Sequence, residues 1–158
     1  MTGPGVELRP AVAGDQSAIV ELCKHSLVTT YAGFMKLEKM HSWIEGSEVE
    51  DYVARMWPHM TLAIDEDRAV SGVVAIDDQV IDFVWVRDDR RGEGIGSRLM
   101  DRAERVLSAR YAEAELECFT PNVASLAFYQ SRGYREVRRY YERSSGVERI
   151  VLRKPLTD

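Results

Sequence analysis

Three glycines at alternate positions, Gly92, Gly94 and Gly96, occupy the run R-R-G-E-G-I-G-S-R-L-M from 90 to 100. The run lies between two strong local signals. Before it, Q-V-I-D-F-V-W-V (79–86) is rich in β-branched and aromatic residues and predicts a strand. After it, Ile95, Leu99, Ala103, Val106 and Leu107 mark one face of a helix reaching about Arg110. A turn needs one or two glycines, not three in step with a helix start. Backbone without side chains admits a close neighbour, and the first N–H groups of a helix are unpartnered and favour an anion. The run therefore specifies strand, loop and helix arranged around an anion, with a phosphate as the first candidate.

Around this centre the elements alternate. V-E-L-R-P-A (6–11) reads as a short strand, and Gly14 and Asp15 signal a helix carrying Ile19, Leu22, Cys23 and Leu27. Residues 36–45 and 48–57 form one or two helical pieces, the second stopped near Pro58. T-L-A-I-D (61–65) and R-A-V-S-G-V-V-A-I-D (68–77) are strands joined by a turn at E-D-R. A-E-L-E-C-F (114–119) alternates as a strand. V-A-S-L-A-F-Y-Q-S-R (123–132) is helical and ends at Gly133, a residue suited to a helix C-terminus. Residues 134–143 and 147–154 flank Ser144, Ser145 and Gly146 as a long hairpin. The expected class is α+β, an α/β three-layer arrangement in one domain over 1–158. It has a mixed, mostly antiparallel twisted sheet of about six to seven strands and about four helices.

Composition matters mainly for what it excludes. A chain of 158 residues holds one ordinary domain, and no apolar run of about 18 residues predicts a membrane span. The N-terminus lacks a basic-then-apolar leader pattern, so a cytoplasmic protein is expected. Cys23 and Cys118 make no disulfide framework, and His25, His41 and His59 show no metal-ligand spacing, so no metal is expected. A net charge of −5 argues against a nucleic-acid surface. The charge is uneven: 13 acids against 6 Lys and Arg in 1–80 give −7, and 13 against 15 in 81–158 give +2. The two halves are thus suited to different partners.

Several phosphate ligands compete for the glycines. A P-loop closes on Gly-Lys-Ser/Thr, and Gly96-Ser97 has no lysine between. A dinucleotide fingerprint, G-x-G-x-x-G, would find Ser97 where its last glycine or alanine belongs. Glu115 does lie about twenty residues on, but the chain after Gly96 is too short for a doubly wound domain. That leaves a dinucleotide oxidoreductase as an outside alternative.

V-W-V-R-D-D-R-R-G-E-G-I-G-S-R-L-M (84–100) and N-V-A-S-L-A-F-Y-Q-S-R-G-Y (122–134) together resemble the GNAT superfamily of acyl-CoA-dependent N-acetyltransferases. The first matches the family's Arg/Gln-x-x-Gly-x-Gly/Ala pattern at Arg91, Gly94 and Gly96. The second matches Asn-x-x-Ala/Ser-x-x-Phe-Tyr at Asn122, Ser125, Phe128 and Tyr129. Asp88 stands where a proline is common and Tyr134 where phenylalanine is usual, and neither removes a group the reaction uses.

The resemblance implies that the anion is the pyrophosphate of acetyl-CoA, ringed by amides from Arg91 through Gly92, Gly94, Ile95 and Gly96 to Ser97. It implies that Val84 and Val86 pair through their backbone with the pantetheine arm, that Asn122 bonds the same arm, and that Tyr129 protonates the departing sulfur. Arg87, Arg90, Arg91, Arg98 and Arg102 would add positive potential. Asp82, two residues before Val84 and so on the same strand face, is the candidate base or water-holder. Such help is needed, because an alkyl amine of pKa about 10.4 is almost wholly protonated at pH 7.

The resemblance places the acceptor against the first helices and the C-terminal hairpin, at Thr30, Tyr31, Phe34, Trp43, Tyr140 and Tyr141, together with Asp82. The leading expectation is direct acetyl transfer to a small amine or a peptide amine, cationic given the −7 of the first half, by a monomer or homodimer. The alternative is a non-catalytic acyl-CoA-binding sensor of the same fold.

Overall fold

The computed structural model describes residues 5–156. Strands β1 (Glu7–Pro10), β2 (Met60–Ile64), β3 (Val70–Asp77), β4 (Val80–Val86), β5 (Glu113–Phe119), β6 (Arg135–Glu142) and β7 (Val147–Pro155) form one sheet. Their spatial order is β1-β2-β3-β4-β5-β7-β6. All neighbours are antiparallel except β4 and β5, which are parallel. Among the described residues five α-helices cover the sheet: α1 (Gln16–Tyr31), α2 (Leu37–Glu45), α3 (Glu48–Met56), α4 (Ile95–Ser108) and α5 (Val123–Ser131).

The two faces bury different sets of side chains. Ile95, Leu99, Met100, Ala103 and Leu107 of α4 pack with Val74, Ile81, Leu116 and Ile150 on one face, joined by Tyr129 of α5. Ile19 and Leu22 of α1 and Val49, Val53 and Met56 of α3 pack with Leu62, Val73 and Ala75 on the other. In α3 the spacing i, i+4, i+7 puts one apolar stripe on the sheet and leaves Glu48, Asp51, Tyr52 and Arg55 around its rim. Gly72 lets α4 lie close: a Cβ there would come within 3.0 Å of both Ile95 and Leu99.

Two departures from regular pairing shape the centre. In the β3–β4 ladder Ala75 faces Phe83 while Ile76 faces Ile81, so Asp82 is an extra, bulged residue. The bulge overturns the expected parity of β4. Asp82 joins Phe83 and Trp85 on the α1/α3 side, whereas Val84 and Val86 pack against the α4 cluster. Asp82 and Val84 therefore do not share a face. Between β4 and β5, the ladder has a single position, Val80 opposite Glu115, beyond which the two parallel strands part.

The β2–β3 turn is fastened to the end of β4 by Asp65, which is 4% exposed. Its carboxylate accepts from the amides of Asp67 and Ala69 and from Arg87 at 3.0 Å, with Arg90 at 3.5 Å. Burial alone would raise its pKa, but the Ala69 amide, Arg87 and the Asp67 amide together hold it below the ordinary aspartate value. Its stabilising contribution is thus present above that ordinary value and is lost as pH falls through the depressed one. Asp65→Ala, which leaves two amides without their acceptor and removes one carboxylate partner from each of Arg87 and Arg90, is expected to cost about 2–3 kcal/mol. Thermal denaturation should show a midpoint lower by roughly 4–12 °C.

Candidate functional site

The glycine loop opens away from the protein. Gly92 and Gly94 have φ of +80° and +81°, a region that favours glycine, and a Cβ on either would meet nothing within 4 Å. Gly94 caps α4, and its carbonyl accepts the first helical bond, from Arg98 at 3.1 Å. Among the described residues the amides from Gly92 to Ser97 donate no hydrogen bond. Six consecutive N–H groups leading into the helix start are thus unpartnered, an arrangement suited to several phosphate oxygens.

The charges beside the loop are divided. Arg87 is held by Asp65 and Asp89, and Arg90 by Asp65, Glu66 and Glu93, so both serve the scaffold. Arg98 donates to the Val6 carbonyl at 3.1 Å. Arg91 is exposed, with Asp88 at 3.1 Å. The positive potential expected from five arginines is thereby reduced, and the backbone amides are left as the main feature of the loop.

Next to the loop, β4 and β5 pair at one position only. Gly96 lies in the first turn of α4, where a Cβ would contact Val86 at 3.6 Å and Phe128 at 3.7 Å. Asn122 caps α5, accepting from the Ser125 amide at 3.4 Å. Tyr129, 8% exposed, packs edge-on to Tyr134 and tilted against Phe128. Burial raises its phenol pKa, and the neighbouring Tyr31 and Cys118 raise it further, so the hydroxyl stays protonated. Burial also pushes the thiol of Cys23 up to about 12 and that of Cys118 up to about 11. Neither is a thiolate nucleophile near neutral pH.

On the opposite side of β4 lies a cavity of about 670 Å³ between α1, α2, α3 and the β6–β7 hairpin. Six aromatic residues line it: Tyr31, Trp43, Tyr52, Phe83, Trp85 and Phe119. Asp82 projects into it beside Phe83 because of the bulge, and the Tyr52 hydroxyl donates to its Oδ2. Burial raises the Asp82 pKa. The Tyr52 bond opposes that rise, Asp77 adds to it, and Arg55 and Arg149 oppose it.

The sequence expectations sort clearly against this geometry. Tyr31, Trp43 and Asp82 line the cavity; Phe34 sits behind it, in ring contact with Tyr31 and Phe119. Thr30 does not line it, and its hydroxyl is buried without a partner among the described residues. Tyr140 and Tyr141 were expected from the hairpin and are not there: Tyr140 bonds Glu117, and Tyr141 points outward, 63% exposed. The hairpin contributes Glu142, Ser144 and Arg149 instead. Tyr52 was missed, although its place at the edge of the α3 apolar stripe was readable from helical spacing. Tyr31 connects the two regions, lining the cavity and standing close enough to Tyr129 to perturb it.

The sequence profile of the acetyltransferase (GNAT) family matches residues 28–134. No curated protein sequence gives a match. Solved structures do. The PaiA N-acetyltransferase from Thermoplasma acidophilum, in complex with coenzyme A, superimposes with a TM-score of 0.78 at 18% identity, covering 95% of this chain and 98% of that one. A GCN5-related N-acetyltransferase from Rhodopseudomonas palustris gives 0.81 at 20%, covering 99% of each chain. Apo YjaB from Escherichia coli gives 0.72 at 20%, covering 94% and 96%. At these identities the likeness shows the fold.

Proposed function

The chain belongs to the acetyltransferase (GNAT) family, and we propose that it transfers acetyl from acetyl-CoA directly to the nitrogen of an amine that is cationic at neutral pH. The observation that carries this reading is the run of unpartnered amides from Gly92 to Ser97, set at the end of a strand whose neighbour has pulled away. The amides take the pyrophosphate. The exposed edge of β4 at Val84 and Val86 takes the pantetheine arm as an added strand, with Asn122, Ser125 and Phe128 on the far side. The Thermoplasma relative, whose structure is in complex with coenzyme A, supports coenzyme A as the ligand.

The chemistry then falls to two groups on either side of β4. Asp82 accepts the proton of the incoming ammonium, directly or through water, and the neutral nitrogen attacks the thioester carbonyl. The carbonyl oxygen takes an N–H near Val84 while charge builds on it. The C–S bond breaks, and Tyr129 gives its phenol proton to the departing thiolate. Burial makes Asp82 a stronger base than a solvated aspartate, and Tyr129 holds its proton until the thiolate departs.

Incubation with acetyl-CoA and a panel of amines should release free thiol and N-acetylated product in equal amounts. Coenzyme A binding without thiol release from any amine would favour the sensor alternative. Tyr52→Phe gives a sharper test of the base. The Tyr52 hydroxyl opposes the burial-driven rise of the Asp82 pKa, so removing it lets that pKa climb. The acidic limb of the kcat/KM profile should move to higher pH, with acetyl-CoA affinity unchanged. An unmoved limb assigns the base elsewhere.

A further inference from the structure

Building on the acetyl-transfer reading, we infer that the acceptor is a monoamine carried on an aromatic body, and not a polyamine or other polycation. The cavity walls are ring-lined from five directions. Tyr31 comes from α1, Trp43 from α2, Tyr52 from α3, Phe83 and Trp85 from β4, and Phe119 from β5. These rings already touch one another, with Tyr31 at 5.1 Å from Phe119, 5.8 Å from Trp85 and 6.0 Å from Trp43, centroid to centroid. A flat apolar body entering among them extends a set of edge-to-face and offset contacts that the protein has prepared.

The charges set the number of ammonium groups. Glu142 is paired with Arg149 at 3.1 Å, and Glu48 stands 3.7 Å from Lys39. Of the remaining lining charges, Asp82 and Asp51 are negative and Arg55 is positive, a surplus of one negative charge. Asp82 accepts from Tyr52 through Oδ2 only, which leaves Oδ1 for an ammonium. One cation is therefore matched.

Further cations are opposed. Lys39 sits over the Trp43 ring at 5.3 Å, Arg55 over Tyr52 at 5.5 Å and Arg149 over Phe119 at 4.7 Å. Three of the six rings thus already have a protein cation over them, so a second or third ammonium would compete for an occupied ring face, and beside Tyr52 it would meet Arg55, which makes no ion pair among the described residues. Discrimination of this kind works by repulsion as much as by attraction. The −7 of the first half does not alter this. Of its acidic cluster, Glu48 and Asp51 line the cavity, while Glu45 stands 3.5 Å from His41 and Glu50 bonds Lys24.

The experiment compares 2-phenylethylamine, propylamine and spermidine. In the thiol-release assay, kcat/KM for phenylethylamine should exceed that for each of the others by about tenfold or more, the scale of a buried apolar group. In parallel, phenylethylamine without acetyl-CoA should quench tryptophan fluorescence saturably, since Trp43 and Trp85 line the cavity. Trp85→Leu, or Trp43→Leu if the first does not fold, should weaken the ring preference and leave the KM for acetyl-CoA in place. If propylamine or spermidine equals phenylethylamine as acceptor, the inference is overturned and acetyl transfer stands. If no amine is acetylated but phenylethylamine alone quenches, the ring-lined site stands and the transfer reading fails. Absence of both turnover and quenching with phenylethylamine overturns the assignment of this cavity.

Discussion

Tyr129→Phe is expected to lower the turnover rate on a good acceptor by about 10²–10⁴-fold, the usual scale of a general-acid group. The substitution removes one oxygen and keeps the ring, so the contacts with Phe128 and Tyr134 survive. Acetyl-CoA affinity and the melting midpoint should hardly change. A drop in turnover at constant affinity separates proton donation from binding, because a structural role would move stability as well. If turnover stays within about twofold, water or the substrate supplies the proton.

Gly94→Glu should weaken coenzyme A binding about 100-fold or more. The new carboxylate would stand a few ångströms from the pyrophosphate, where like charges repel by several kcal/mol at intermediate dielectric, on the order of 3 kcal/mol. Backbone strain acts separately. At φ of +81° any side chain costs about 1–2 kcal/mol, and Gly94→Ala carries that strain without the charge. Calorimetry should therefore find a large affinity loss for glutamate, a small one for alanine, and a similar modest fall in melting temperature for both. Equal affinity losses in the two variants would place the phosphates elsewhere.

The fold was legible because its signals are local. The β-branched and aromatic run of β4, the alternation of β5, the α4 apolar stripe and the turn residues each act within a few positions, and the glycine run marks the loop between β4 and α4. The glycine loop stands out in the sequence for the same reason, and the phosphate binding proposed for it would be done by backbone. The cavity was read less well. Asp82 is a candidate from sequence and lines the cavity, but on the face opposite to the one its spacing from Val84 implies, since one bulged residue reverses the parity of a strand and leaves no mark in the local pattern. Arg87 and Arg90 carry no sequence sign that Asp65 and Glu66, more than twenty positions away, neutralise them. Tyr140 and Tyr141 show the same limit: hairpin register decides which side chains turn inward, and the bulge at Val137 shifts it.

The single rung between β4 and β5 has a consequence for exchange with solvent. In the middle of a seven-stranded sheet, backbone amides are ordinarily the slowest in a domain to trade hydrogen for deuterium. Here the inward edge of β4 beyond Val80 has lost its neighbour, so its free amides should exchange early, as those of an outermost strand do. Deuterium uptake would then report occupancy of this edge directly: slow exchange around Val84 and Val86 with coenzyme A present, fast exchange without it, and little change in β2 or β7.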